Sequence, residues 1–168
     1  MRIASAILIT ALVVVAAGTA PAATPRLALV DCDDAARSVA QPGGRLYGDR
    51  LGLSWGSRAK KLVLSQTAGF PYASRLPIFI RAGGRRFTIE IAPAWRGRAG
   101  MAWDRRGDAR PAIARGVRVA PCPGGDGSSI WLAYPGGFYV QRPACLPLVI
   151  TIGPRRYRAR VPLGRACP

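Results

Sequence analysis

The stretch Leu146-Pro147-Leu148-Val149-Ile150-Thr151-Ile152-Gly153-Pro154-Arg155-Arg156-Tyr157-Arg158-Ala159-Arg160-Val161-Pro162-Leu163 decides the fold. Leu146, Leu148, Ile150 and Ile152 recur with the period of two that marks a half-buried strand. Gly153-Pro154-Arg155-Arg156 then turns the chain, and Tyr157, Ala159, Val161 and Leu163 return with the same period. Pairing Ile152 with Tyr157 carries through to Leu146 with Leu163, which puts the apolar residues on one face. Arg156, Arg158 and Arg160 fall on the other face, with Arg155 at the turn.

Two further units follow the same rule. Pro77–Arg81 and Arg86–Ile91 flank Gly83-Gly84, and a Gly-Gly pair tolerates the positive φ of a two-residue hairpin turn. That turn pairs Ala82 with Arg85, Ile80 with Phe87 and Ile78 with Ile89, again with the apolar residues together. Ser129–Tyr134 and Phe138–Gln141 are joined by Pro135-Gly136, a type II turn signature. Lys61–Ser65, Val117–Ala120 and Leu51–Trp55 add short strands, and Asp33–Arg37 suggests one helical turn. About eight short strands with regular turn signals indicate an all-β chain, an antiparallel β-sandwich of immunoglobulin-like architecture, with a small barrel as the alternative. Residues 93–111 show no periodicity and are expected to form a long surface loop, where binding functions often lie.

The first 22 residues have a different character. Met1-Arg2, the apolar run Ile3–Ala17 and the small residues 18–23 are the three parts of a secretory signal peptide, with cleavage expected after Ala22. The apolar run is shorter than the roughly 20 residues that span a bilayer, which disfavours a retained anchor. The mature chain, residues 23–168, is then a single exported domain without a transmembrane segment. Its four cysteines read as two disulfides. Cys32 and Cys167 lie near the two ends, so the leading pairing is Cys32–Cys167 with Cys122–Cys145. The second is Cys145–Cys167 with Cys32–Cys122. No CxxC pair and no histidine support a zinc site, and neither metal nor cofactor is expected.

The stretch Tyr134–Leu148, the strand pair after it and Gly164-Arg165-Ala166-Cys167 resemble small exported proteins of high-GC Gram-positive bacteria. The resemblance covers roughly the last third of the chain. It implies a secreted, disulfide-bonded β domain and no particular chemistry.

The composition excludes more than it includes. With no histidine, a Ser-His-Asp or Cys-His nucleophile system is impossible, and the usual general base at neutral pH is missing. Glu90 is the only glutamate. Asp104 and Asp108 share a loop but sit beside Arg105, Arg106 and Arg110, as ion-paired turn residues do. Ser57-Arg58-Ala59-Lys60 lacks the S-D-N and K-T-G partners that an S-x-x-K enzyme needs. Arg106-Gly107-Asp108 reads as a turn. Asp31, Asp33 and Asp34 match no calcium loop and read as a helix cap with solvated charge.

The positive lead is charge. Twenty-five basic residues against eight acidic ones give a formal net charge of +17, and only Lys60 and Lys61 are not arginine. The preference for arginine over lysine is what a high-GC genome produces, but the scarcity of acids is not. Such a charge attracts polyanions. Outside a cell these are anionic envelope polymers or lipid headgroups; nucleic acid is not expected, and a protein partner is the alternative. The candidate ligand-binding residues are Arg155, Arg156, Arg158 and Arg160 on the strand, and Trp95, Arg96, Arg98, Trp103, Arg105 and Arg106 in the loop. Arg85 and Arg86 mark a second basic tip. Arginine grips phosphate and carboxylate bidentately, and tryptophan offers a flat face to sugars. The chain thus reads as a non-enzymatic exported binding module. A small inhibitor or effector acting through residues 93–111 is the second reading.

Overall fold

The computed structural model describes residues 27–39, 42, 44–55, 62, 64–67, 70–103, 113–123 and 130–168. The expected signal peptide, Ser57–Lys60 and Asp104–Asp108 lie outside them. The described chain is all-β, apart from two 3₁₀ turns at Cys32–Asp34 and Pro93–Trp95. Its strands are β1 (Ala28–Val30), β2 (Arg37–Val39), β3 (Arg45–Tyr47), β4 (Leu51–Leu53), β5 (Ser65–Thr67), β6 (Phe70–Arg75), β7 (Ile78–Arg81), β8 (Phe87–Ile91), β9 (Ala99–Trp103), β10 (Gly116–Val119), β11 (Trp131–Tyr134), β12 (Gly136–Val140), β13 (Ala144–Ile152) and β14 (Arg155–Leu163). More strands form than the expected eight, because several are only three residues long.

The strands form a five-stranded sheet in the order β1-β10-β8-β13-β14, a second in the order β2-β11-β7-β4-β3, and a four-stranded sheet in the order β5-β6-β12-β9. All pairings between these strands are antiparallel except β1 with β10. The last two sheets are halves of one bent layer. Tyr134 pairs with Ile78 on one side of the bend, and Gly137 pairs with Arg75 on the other, in a single continuous register. That register sets Pro77 opposite Pro135. Neither has an N–H, so the ladder cannot run through this point. The adjacent Leu76 amide still donates to the Gly136 carbonyl at 2.7 Å. Two opposed prolines therefore split one long ribbon into two sheets. Pro135-Gly136 is a kink between collinear strands, and the hairpin expected there does not form.

The five-stranded sheet lies against this bent layer across one core. Ile89, Val117, Leu146, Leu148, Ile150 and Val161 from the first meet Leu51, Leu53, Ile78, Met101, Tyr134 and Phe138 from the second. A small cluster of Phe79, Trp131 and Ala133 sits on the opposite face of the bent layer.

The Gly83-Gly84 unit also departs from expectation. β7 pairs with β11 and β4, whereas β8 pairs with β10 and β13. The two strands arch from one layer to the other, and Ile80 and Phe87 belong to the core from opposite sides. A hairpin would put these side chains next to each other on one sheet. The arch gives each strand two hydrogen-bonded neighbours and still buries the same residues. Ala82 and Gly83 amides, donating to Ile130 and Cys122 carbonyls at 3.0 and 2.8 Å, hold the crossover.

The β13–β14 hairpin forms, with its register moved by two residues: Ile152 pairs with Arg155 and Ile150 with Tyr157. Gly153 takes φ +56° as the first central residue of a two-residue turn, which shortens the loop. An even shift keeps every side chain on its expected face. Residues 99–103 correct the long-loop expectation, since β9 is buried along its whole length.

The disulfides are Cys32–Cys122 and Cys145–Cys167, which corrects the leading pairing. Parallel pairing of β1 with β10 brings Cys32 beside Cys122, because both cysteines follow their strands closely. Cys145 lies opposite Pro162 in the last hairpin, within reach of the chain that continues from it. The two bonds close sequence separations of 90 and 22 residues. Loop-closure entropy then makes the first worth about 1 kcal/mol more than the second. Non-reducing peptide mapping should recover these two pairs, and replacing Cys32 and Cys122 by Ala should lower denaturant stability more than replacing Cys145 and Cys167.

Candidate functional site: the arginine face

The strand register assigns a face to each basic residue on a strand. In the five-stranded sheet the inward set is Val30, Val117, Ile89, Ile150 and their neighbours. The outward set, read across the strands, is Leu29, Arg118, Thr88, Thr151 and Arg156 in one row. Glu90, Val149 and Arg158 form the next row, and Pro147 with Arg160 the third. Arg118, Arg156, Arg158 and Arg160 are exposed, while Thr88, Glu90, Val149 and Thr151 between them are half-buried. Leu29 at the edge is 60% exposed. Among the described residues, Glu90 is the only acidic side chain on this face.

Strand geometry sets the spacing. Alternate residues on β14 stand roughly 6.6 Å apart, and neighbouring strands about 4.8 Å apart. Long arginine side chains at such spacing sweep the whole face. Arg160 is already engaged: its Nη1 donates to the carbonyl oxygen of Pro168 at 3.0 Å, in the segment that the Cys145–Cys167 bond ties down. Among the described residues, Arg156 and Arg158 are the free part of the stripe, joined by Arg118 across the two intervening strands β8 and β13. Arg118 was missed as a site residue because it stands alone in the sequence between valines. Its place on the face depends on the β1–β10–β8 pairing, which no local pattern announces.

Among the described residues, the loop candidates do not assemble into a site. Trp103 is in the core, edge-to-face with Phe138 at 5.1 Å, and its Nε1–H donates to the Leu76 carbonyl at 2.9 Å. It is a packing residue that seals the bend. Trp95 packs partly against the core under the Arg98 guanidinium, 5.2 Å from the ring centre. The same guanidinium donates to the Ala94 carbonyl. Arg96 is exposed on that turn. The Ala92 amide, just before the turn, bonds to Pro147, so Trp95, Arg96 and Arg98 cluster at the Arg160 end of the sheet. Arg105 and Arg106 lie outside the described residues. Arg155 sits apart at the β13–β14 turn, where it lines a pocket with Arg50 and Arg85.

The acidic turn does what its sequence implied. Asp31 caps the 3₁₀ turn by accepting from the Cys32 amide at 2.6 Å, and Asp34 accepts from the Asp31 amide at 2.9 Å. Tyr134 points toward this region with its hydroxyl 3.3 Å from Cys122 Sγ. A disulfide sulfur carries no proton, so the hydroxyl donates. Burial, with a smaller contribution from Asp34, Asp31 and Asp33, pushes the Tyr134 pKa up to about 12. Among the described residues no group of three or more His, Cys, Asp or Glu is placed to hold a metal ion, and no helix is long and apolar enough to cross a membrane. Two disulfides point to an oxidising, extracytoplasmic environment.

Comparison with known proteins gives no relative. No family model, curated protein or solved structure matches the chain.

The raised Tyr134 pKa has a measurable consequence. The neutral phenol is favoured in the folded state, so its contribution is intact below the ordinary tyrosine pKa near 10 and fades as pH rises toward about 12. Stability measured by urea unfolding should decline across that window, and the decline should be shallower in Tyr134→Phe.

Proposed function

We propose that this chain is an exported, non-enzymatic binding module that associates with anionic polymers of the cell envelope. The binding surface is the outward face of the five-stranded sheet, and the scaffold is an immunoglobulin-like sandwich delivered by a cleaved signal peptide. The observation that carries the reading is the convergence of Arg118, Arg156, Arg158 and Arg160 on one face with, among the described residues, a single acidic side chain, Glu90. Their guanidiniums provide bidentate, always-charged contacts to phosphate or carboxylate groups. Half-buried Thr88, Thr151 and Val149 make a shallow floor that admits an extended polymer lying across the strands. The net charge, +17 for the full sequence and +16 once Arg2 leaves with the signal peptide, adds long-range attraction. Absence of histidine removes the commonest catalytic base and leaves binding as the simplest use of the surface.

Contacts of this kind are screened by salt, with a Debye length of about 8 Å at physiological ionic strength. Retention of the oxidised protein on isolated envelope should weaken steeply across a salt series. Replacing Arg118, Arg156 and Arg158 together by Ala should lower retention at least tenfold. Because all three are exposed, stability should change by no more than about 0.5 kcal/mol per site. Retention indifferent to salt, or unaltered in the triple variant, contradicts the reading.

A further inference from the structure

We infer a second, separate anion site at the turn end of the sandwich: a small pocket that receives one compact phosphoryl group end-on. Three turns from both layers meet there. The β3–β4 turn contributes Arg50, the β7–β8 arch contributes Arg85, and the β13–β14 turn contributes Arg155. Gly48, Ile152, Gly153, Pro154 and Tyr157 complete the lining. The pocket measures about 150 Å³, below the roughly 300–1,000 Å³ of sites for drug-sized ligands. It suits a group the size of phosphate rather than a whole cofactor.

The electrostatics are unbalanced in a way that a folded protein does not need for stability. Three arginines line one pocket, and among the described residues none of them meets a carboxylate within salt-bridge distance. The nearest acid in sequence, Asp49, has φ +47° and is not among the lining residues; its Oδ2 lies 3.9 Å from Arg81 Nη1, and 75% of its side chain is exposed. The site is also shaped with some care. Gly48 has φ +53°, and a Cβ there would stand 2.9 Å from the Tyr157 hydroxyl and 3.3 Å from Ile152 Cδ1. The positive φ favours glycine there, and its missing side chain leaves that hydroxyl uncrowded at the pocket wall. Arg50 is half-buried and lies along Gly84, where a Cβ would come 3.2 Å from its Cδ and Nη1. A tetrahedral dianion offers three oxygens to three guanidiniums, with the Tyr157 hydroxyl as a further donor. A phosphate monoester terminus or free phosphate satisfies this. A phosphodiester has only two free oxygens and carries two substituents that a pocket this size does not hold.

This site does not depend on polymer binding by the outward face, and its test is separate. The full chain is titrated with inorganic phosphate, glycerol 1-phosphate and a dimethyl phosphodiester at matched ionic strength, with binding read by amide NMR shifts. Saturable binding of the first two is expected, with perturbations at residues 48–50, 83–86 and 152–157 and at least tenfold weaker binding of the diester. Arg85→Ala with Arg155→Ala should weaken phosphate binding at least tenfold. Tyr157→Phe, which removes one oxygen and keeps the ring packed on Tyr47, should weaken it severalfold. Arg118→Ala with Arg158→Ala should leave it within twofold. Absence of saturable phosphate binding, equal affinity for the diester, or equal effects of the pocket and face variants would each overturn the proposal.

Discussion

Ile89 and Ile150 in the five-stranded sheet, and Ile78, Tyr134 and Phe138 in the layer facing it, are fully withdrawn from water. Burying each such side chain is worth about 1.5–3 kcal/mol relative to exposure. Nearly every other feature follows from this contact between two alternating surfaces. Strands that enter the core on their even or odd residues must send the intervening residues outward. In β14 those residues are arginines, and in β8 and β13 they are mostly small or hydroxyl-bearing. Core burial thus displays the basic face without any interaction dedicated to holding it.

The covalent and backbone constraints sharpen this arrangement. Pro77 opposite Pro135 interrupts one ribbon and lets the second layer bend around the core. Trp103 seals that bend by hydrogen-bonding Leu76 from β9. Cys32–Cys122 ties the β1 edge to the β7–β8 arch, and Cys145–Cys167 folds the last residues back toward Arg160. The two disulfides therefore act at the rim of the sheets, where apolar burial alone is weakest.

Periodicity in the sequence revealed which residues are buried and hid which strands are neighbours. Alternation marked Leu146–Leu163 and Ile78–Ile91 correctly as inward and outward sets. A hairpin and an arch use the same turn residues and the same alternation, so Gly83-Gly84 could not distinguish them. The choice is made by long-range partners: β10 and β13 for β8, β4 and β11 for β7. The same limit explains the site. Arg156, Arg158 and Arg160 were legible because they share a strand. Arg118 and Arg50 join their groups only through pairings between distant segments. Trp103 looked like a loop residue because β9 is buried on both faces and carries no polar alternation.

Polymer binding is proposed for the outward face of the five-stranded sheet. Site-resolved NMR mapping with a short, soluble anionic polymer tests it most directly. Perturbations are expected at Leu29, Thr88, Arg118, Val149, Thr151, Arg156 and Arg158, grouped as the strand register groups them. Perturbations confined to the Trp95–Arg98 turn and residues 104–112, with this face silent, would contradict it.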